Sequence, residues 1–119
     1  MNKIFKKPVK KKNVIPPKKT SIFPEIWKRY NIPAPIPEYQ FLVNRKFRID
    51  YAWPEYLVGM EIEGGIYSGG RHITPKGFIN DMEKYNLMNE HGWNLLRYAP
   101  KKIDYLQILK TIENNKKRL

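Results

Sequence analysis

Two short runs rich in Ile, Val, Met, Tyr and Phe flank a turn at Pro54 and Glu55, and this spacing most constrains what the chain can fold into. The first, Phe47-Arg48-Ile49-Asp50-Tyr51-Ala52, alternates in period two, as a strand with two distinct faces does. The second, Leu57-Val58-Gly59-Met60-Glu61-Ile62-Glu63, follows at once, so the pair reads as an antiparallel hairpin. With Pro54 to Leu57 as the loop, the register sets Asp50 directly opposite Glu61. Period two then puts Glu63 on the same face, opposite Arg48. Three carboxylates are expected to converge on one face.

The rest of the chain is organised around this hairpin. Ile22 to Tyr30 carries Ile22, Phe23, Ile26, Trp27 and Tyr30 at helical spacing. Asn31 to Pro37 holds three prolines and reads as an extended connector, and Tyr39 to Val43 reads as a strand. After the second hairpin strand, Gly64, Gly65, Gly69 and Gly70 form a loop that permits close approach of a ligand. Pro75 opens a helix over Lys76 to His91, with Phe78, Met82, Tyr85 and Met88 or Asn89 on one face and Gly92 at its end. Trp93 to Tyr98 is a strand, and Ile103, Leu106, Ile108, Leu109 and Ile112 make the last helix amphipathic. The expected order is helix, three-strand meander, helix, strand, helix: one α/β domain over residues 21–119 with a central mixed sheet.

Residues 1–20 differ in kind. They hold eight Lys and no acid, broken by Pro8, Pro16 and Pro17, while the other 99 residues carry 15 basic and 11 acidic side chains. Such a segment has too little apolar surface to fold alone and reads as a basic arm. Its natural partner is a polyanion, because each Lys that meets a phosphate releases a condensed counterion. A solubilising Lys bias is the plainer alternative. The arm has little to insert into a bilayer, no run reaches spanning length, and no signal-peptide pattern is present, so an intracellular, cytoplasmic protein with no membrane partner is expected. The absence of cysteine excludes disulfides, thiolate zinc sites and thiol nucleophiles.

Like charges facing each other across a sheet are destabilising, and Arg48 offsets only part of three acids. A hard divalent cation with oxygen ligands suits such a site, and Mg²⁺ is commonly held by one or two carboxylates plus substrate phosphate. Beside a phosphodiester, such an ion polarises the phosphoryl oxygen and activates water. The alternative is a solvent-facing hairpin whose acids pair with Arg45, Lys46 and Arg48.

Between Pro37 and Pro100 the chain resembles the small phage-type endonucleases of the PD-(D/E)XK superfamily, in the branch close to very-short-patch-repair nucleases. The matching text is Pro37-Glu38-Tyr39-Gln40-Phe41, then Phe47-Arg48-Ile49-Asp50-Tyr51-Ala52-Trp53-Pro54, then Glu61-Ile62-Glu63-Gly64-Gly65. It continues with Gly70-Arg71-His72, with Gly77-Phe78 leading to Asp81-Met82-Glu83-Lys84-Tyr85-Asn86, and with Gly92-Trp93 leading to Leu96-Arg97. The resemblance implies a restriction-endonuclease-like core, DNA as substrate, and Mg²⁺ or Mn²⁺ held by Asp50 and Glu61. Glu38, just before the first expected strand, is implied as an outer ligand, with an exposed strand-end acid as the alternative. The family's third element is usually Lys. This chain has Glu63 there, so Glu63 itself, or Lys84 from the next helix, is left to take that role.

The resemblance also implies a catalytic role for His72, whose imidazole can take a proton near neutral pH; a surface histidine is the alternative. Arg71 and Lys76 are placed to contact phosphate, as are Lys10, Lys11 and Lys12 of the arm. Arg97 points toward the site from the fourth strand, or pairs with Glu83 or Asp104. Lys84 serves the acids, or pairs with Asp81 or Glu83. Tyr85, Trp93 and Trp27 are assigned to the core. The expectation is a metal-dependent endodeoxyribonuclease, for which a two-stranded substrate would suit a homodimer; the rival is a non-catalytic basic nucleic-acid-binding protein.

Overall fold

The computed structural model describes residues 24–64 and 74–119. In chain order it comprises α1 (Pro24–Arg29), β1 (Ile36–Gln40), β2 (Arg48–Trp53), a 3-10 turn (Pro54–Tyr56), β3 (Val58–Ile62), α2 (Pro75–Glu90), β4 (Asn94–Tyr98) and α3 (Tyr105–Arg118). The four strands form one sheet in the order β1-β2-β3-β4, antiparallel except for the parallel pairing of β3 with β4. The fold is therefore mixed α/β, with the element order that the hydrophobic pattern requires. The basic arm, Ile22 and Phe23, and Gly65, Gly69 and Gly70 of the Gly-rich loop lie outside the described residues. No helix among the described residues is long and apolar enough to cross a membrane.

The hairpin closes through Leu57, whose left-handed backbone (φ 55°) lets its N–H bond the Pro54 carbonyl at 3.2 Å. Tyr51 pairs with Met60, Ala52 with Gly59 and Trp53 with Val58, the expected register, and the regular ladder ends there, one step before Asp50 and Glu61. The strand expected from Tyr39 begins earlier, at Ile36, and takes in Pro37. Proline has no ladder donor, and β1 tolerates it because it is an edge strand. The connector before it is tied down by Trp53, whose Nε1–H donates to the Pro33 carbonyl at 2.6 Å.

Each sheet face has its own core. On one, Trp27 of α1 and Ile108 and Ile112 of α3 pack on Tyr51, Trp53, Val58 and Met60. Trp27 stands edge-on to Trp53 at 5.6 Å and to Tyr105 at 5.9 Å between ring centroids. Burying side chains of this size contributes about 1.5–3 kcal/mol each. On the other face, Met88 of α2 and Trp93 pack on Tyr39, Phe41, Ile49 and Ala52. Gly59 lets this layer close. A Cβ there would stand 3.0 Å from Ile49 Cγ2 and 3.4 Å from Met88 Cε.

Thr74 caps α2 by accepting the Gly77 N–H at 3.0 Å, and Pro75 starts it as expected. The expected apolar face of α2 is only partly used. Tyr85, Leu87 and Met88 meet the core, while Phe78 and Met82 are 58% and 49% exposed. Only the C-terminal half of the helix makes core contacts, so the helical period extends past them.

The period-two pattern of β1 and β2 breaks at one rung. Ile36 and Tyr39 lie in the same core cluster though three residues apart, and so do Ile49 and Ala52. In regular strands such pairs face opposite sides. Pairing of Pro37 with Tyr51 and of Tyr39 with Ile49 brackets the rung, which belongs to Glu38 and Asp50. Glu38 takes a left-handed backbone there, φ 50°, a conformation that costs a non-glycine residue about 1–3 kcal/mol. The irregularity falls where the acids lie.

Candidate functional site

Glu61 is a carboxylate in a strand whose other described residues are apolar or glycine, and it is only 7% exposed. β3 is flanked by β2 and β4, so its side chains are covered from the sheet faces, and on the Glu61 face the cover is α2. Lys84 and Tyr85, consecutive in α2, divide the carboxylate between them. Lys84 Nζ donates to Oε2 and the Tyr85 hydroxyl donates to Oε1 at 3.1 Å. The Lys84 side chain is 12% exposed, so this is an enclosed ion pair. Burial pushes the Glu61 carboxyl up from the usual range and the nearby Asp50 charge adds to this, while Lys84 and Tyr85 oppose it.

Asp50 lies on the irregular rung. Its Oδ2 accepts the backbone N–H of Ile62 at 2.9 Å. A side chain thereby stands in as a ladder acceptor just past the last regular β2–β3 pair, Tyr51 with Met60. This fixes the Asp50 carboxylate beside Glu61, near enough for its charge to act there.

Glu63 lies near enough to Glu61 for both charges to act on Tyr85, but it takes a different partner from the one expected. Its backbone N–H bonds the Tyr98 carbonyl at 2.8 Å, following β4, and its carboxylate pairs with Arg97 Nε at 3.0 Å rather than with Arg48. The physical reason is the parallel β3–β4 pairing, which sets Arg97 level with Glu61 and near Glu63, whereas the β2–β3 ladder ends before Arg48. Arg97 thus pairs with neither Glu83 nor Asp104. Glu83 binds Arg45 at 2.8 Å and Asp104 caps α3 through the Gln107 N–H at 3.0 Å. The Arg97 guanidinium also lies over the Tyr85 ring, 4.7 Å from its centroid. Lys84 pairs with Glu61 and not with Asp81 or Glu83.

The structure therefore brings together Asp50, Glu61 and Lys84, with Glu63 and Arg97 alongside. Glu38 shares the rung of Asp50 and is half-buried. Lys76 is exposed in the first turn of α2. Arg71 and His72, and Lys10, Lys11 and Lys12, lie outside the described residues. Among the described residues, no group of three or more acids or histidines is gathered as a metal cluster.

Tyr85, which the sequence pattern assigned to the core alone, is also a site residue. Its aromatic body does join the apolar cluster, but its hydroxyl reaches Glu61. The available signal was the need of an enclosed phenol for a partner, combined with its place next to Lys84 on the helix that must cover the acid-bearing strand. Burial and the Glu61 and Glu63 charges push the Tyr85 phenol far above its usual range, so it stays a donor.

Chemically, two fixed carboxylates with an enclosed ammonium make an anionic oxygen cradle with one built-in positive charge. Each Glu61 oxygen has two lone-pair sites and accepts one of the described hydrogen bonds, which leaves room for a cation. The donor set is hard and oxygen-only, and two carboxylates match what Mg²⁺ ordinarily takes from a protein when substrate phosphate supplies the rest. No protein-family model, curated protein or solved structure matches the chain.

Proposed function

We propose that this chain is a metal-dependent endodeoxyribonuclease with a restriction-endonuclease-like core. The observation that carries the reading is the juxtaposition of Asp50 and Glu61 on adjoining strands with Lys84 closing on Glu61 from α2. A divalent cation, Mg²⁺ or Mn²⁺, would be held by Asp50 and Glu61, with Glu38 behind, and would polarise the phosphoryl oxygen and acidify the attacking water. Lys84 neutralises Glu61 before loading and then turns its ammonium toward a non-bridging phosphate oxygen, where negative charge grows in the transition state. Glu63 is the nearby acid for orienting or deprotonating the water while its Oε2 stays on Arg97. His72 is the further candidate for that proton, and Arg71, Lys76, Arg97 and the lysines of the arm, Lys10, Lys11 and Lys12 among them, are the candidates for DNA phosphate contact. A duplex or branched substrate with two strands to cut suits a homodimer.

A second reading is favoured by one observation: both Glu61 oxygens already have donors within the chain. On that reading the acids are structural and the protein is a basic nucleic-acid-binding module without catalysis. One experiment separates the two. Purified protein is incubated with supercoiled, linear, branched, mismatched and single-stranded DNA, in Mg²⁺ or in EDTA. The nuclease reading expects Mg²⁺-dependent cleavage, with Asp50→Asn and Glu61→Gln each slowing it on the order of 100-fold or more while DNA binding persists. Binding without cleavage under every condition would establish the second reading instead.

A further inference from the structure

The Tyr85 hydroxyl is the only neutral side-chain donor on Glu61 among the described hydrogen bonds. Lys84 is a cation, and a metal cation arriving at the same carboxylate repels it and competes for the same charge. A phenol does neither, because it donates a hydrogen bond to a carboxylate whether or not that carboxylate also binds a metal. The phenol is itself held. Its ring packs into the cluster beneath α2, and its face carries the Arg97 guanidinium at 4.7 Å. Arg97 in turn is anchored on Glu63 at 3.0 Å, and that pair raises the guanidinium pKa further, keeping it charged. Glu63 follows β3 and Arg97 lies in β4, so ring and carboxylate are referenced to the same two parallel strands.

We infer that Tyr85 is a positioning residue for the metal site: its hydroxyl holds the Glu61 carboxylate in its ligating orientation once Lys84 has been displaced, with Arg97 and Glu63 bracing the ring. The inference rests on the metal-site reading above and extends it from the ligands to the group that orients them. Groups that orient metal ligands typically change metal affinity about 10- to 100-fold when removed. Tyr85→Phe deletes only the hydroxyl and keeps the packed ring.

The test is direct binding of Mn²⁺ to the full chain without DNA, followed by the electron paramagnetic resonance of the free ion, for wild type, Tyr85→Phe and Glu61→Gln, with thermal melting of each. Support is wild-type binding that Glu61→Gln abolishes and Tyr85→Phe weakens about tenfold or more, with a melting temperature close to wild type. Equal Mn²⁺ affinity in wild type and Tyr85→Phe overturns the positioning role while leaving the metal site standing. Absence of Mn²⁺ binding by wild type overturns the metal site and this inference together. Should Tyr85→Phe melt early, the wild-type protein decides. With Tyr labelled at Cζ, the Tyr85 resonance moves on diamagnetic Mg²⁺ loading if its hydroxyl stays on Glu61, and an unmoved resonance during saturable Mg²⁺ binding overturns the inference.

Discussion

An acid enclosed as Glu61 is would be neutral or expelled without its partners, since burial disfavours the charged form. Lys84 holds it ionised and the Tyr85 hydroxyl covers its second oxygen. Replacing Lys84 by Met strands a carboxylate in that space. Breaking enclosed pairs from one side commonly costs 3–5 kcal/mol, and with Tyr85 still donating we expect about 3 kcal/mol at neutral pH, read from urea unfolding. The pH dependence follows from the raised Glu61 pKa. A carboxyl whose folded pKa lies above its unfolded value stabilises the fold below the unfolded value, and this contribution is lost as pH rises through the folded pKa. Lys84→Met removes an influence that lowers the Glu61 pKa, so its deficit against wild type is largest at neutral pH and shrinks on acidification. A deficit independent of pH would mean that the lost lysine acted by packing its stem. Lys84→Met/Glu61→Leu, which removes both charges, should recover much of the loss.

Tyr98, the last residue of β4, donates from its hydroxyl to Gln107 Oε1 at 2.6 Å and so joins the sheet to the first turn of α3. Burial, with the Asp104 charge, pushes its phenol up to about 12 from 10.0. A raised folded pKa means that the joint is fully present below pH 10.0 and is lost as pH rises toward about 12. Tyr98→Phe should therefore flatten the alkaline limb of the stability curve, and spectrophotometric titration of wild type should show one late phenol that the variant lacks. The elements themselves were legible wherever local pattern decides them. The four residues at Pro54–Leu57 fixed the hairpin register, and Pro75 fixed the start of α2. What escaped depends on partners distant in sequence. Glu63 found Arg97 because β4 inserts parallel beside β3, a pairing that no periodicity announces. Phe78 and Met82 carry the right helical spacing for a core that extends under only half of α2. The broken rung at Glu38 and Asp50 is invisible to a period-two count, since alternation looks intact on either side of it.

The basic residues at the scale of the whole molecule are as uneven as the acids are local. Eight of the 23 Lys and Arg stand in residues 1–20 without an acid among them, whereas Asp50, Glu61 and Lys84 belong to the sheet and to the helix over it. Affinity from counterion release depends on how many phosphates are neutralised and is indifferent to chemistry at the carboxylates. Deleting residues 1–20 should therefore weaken DNA binding and flatten its salt dependence, yet leave cleavage at saturating DNA nearly unchanged. If all eight lysines engage duplex phosphates, the slope of log affinity against log salt falls by about seven, from roughly 0.9 per contact, and by proportionally less if fewer engage. The complementary variant, Glu61→Gln in the full chain, should keep the wild-type slope while losing turnover. Titrations of both proteins between low and moderate salt, run beside wild type, read the two contributions separately. Equal slopes with and without residues 1–20 would mean that these lysines do not meet DNA, and the phosphate contacts would then have to come from the remaining basic residues, with Lys76 and Arg97 the first to replace.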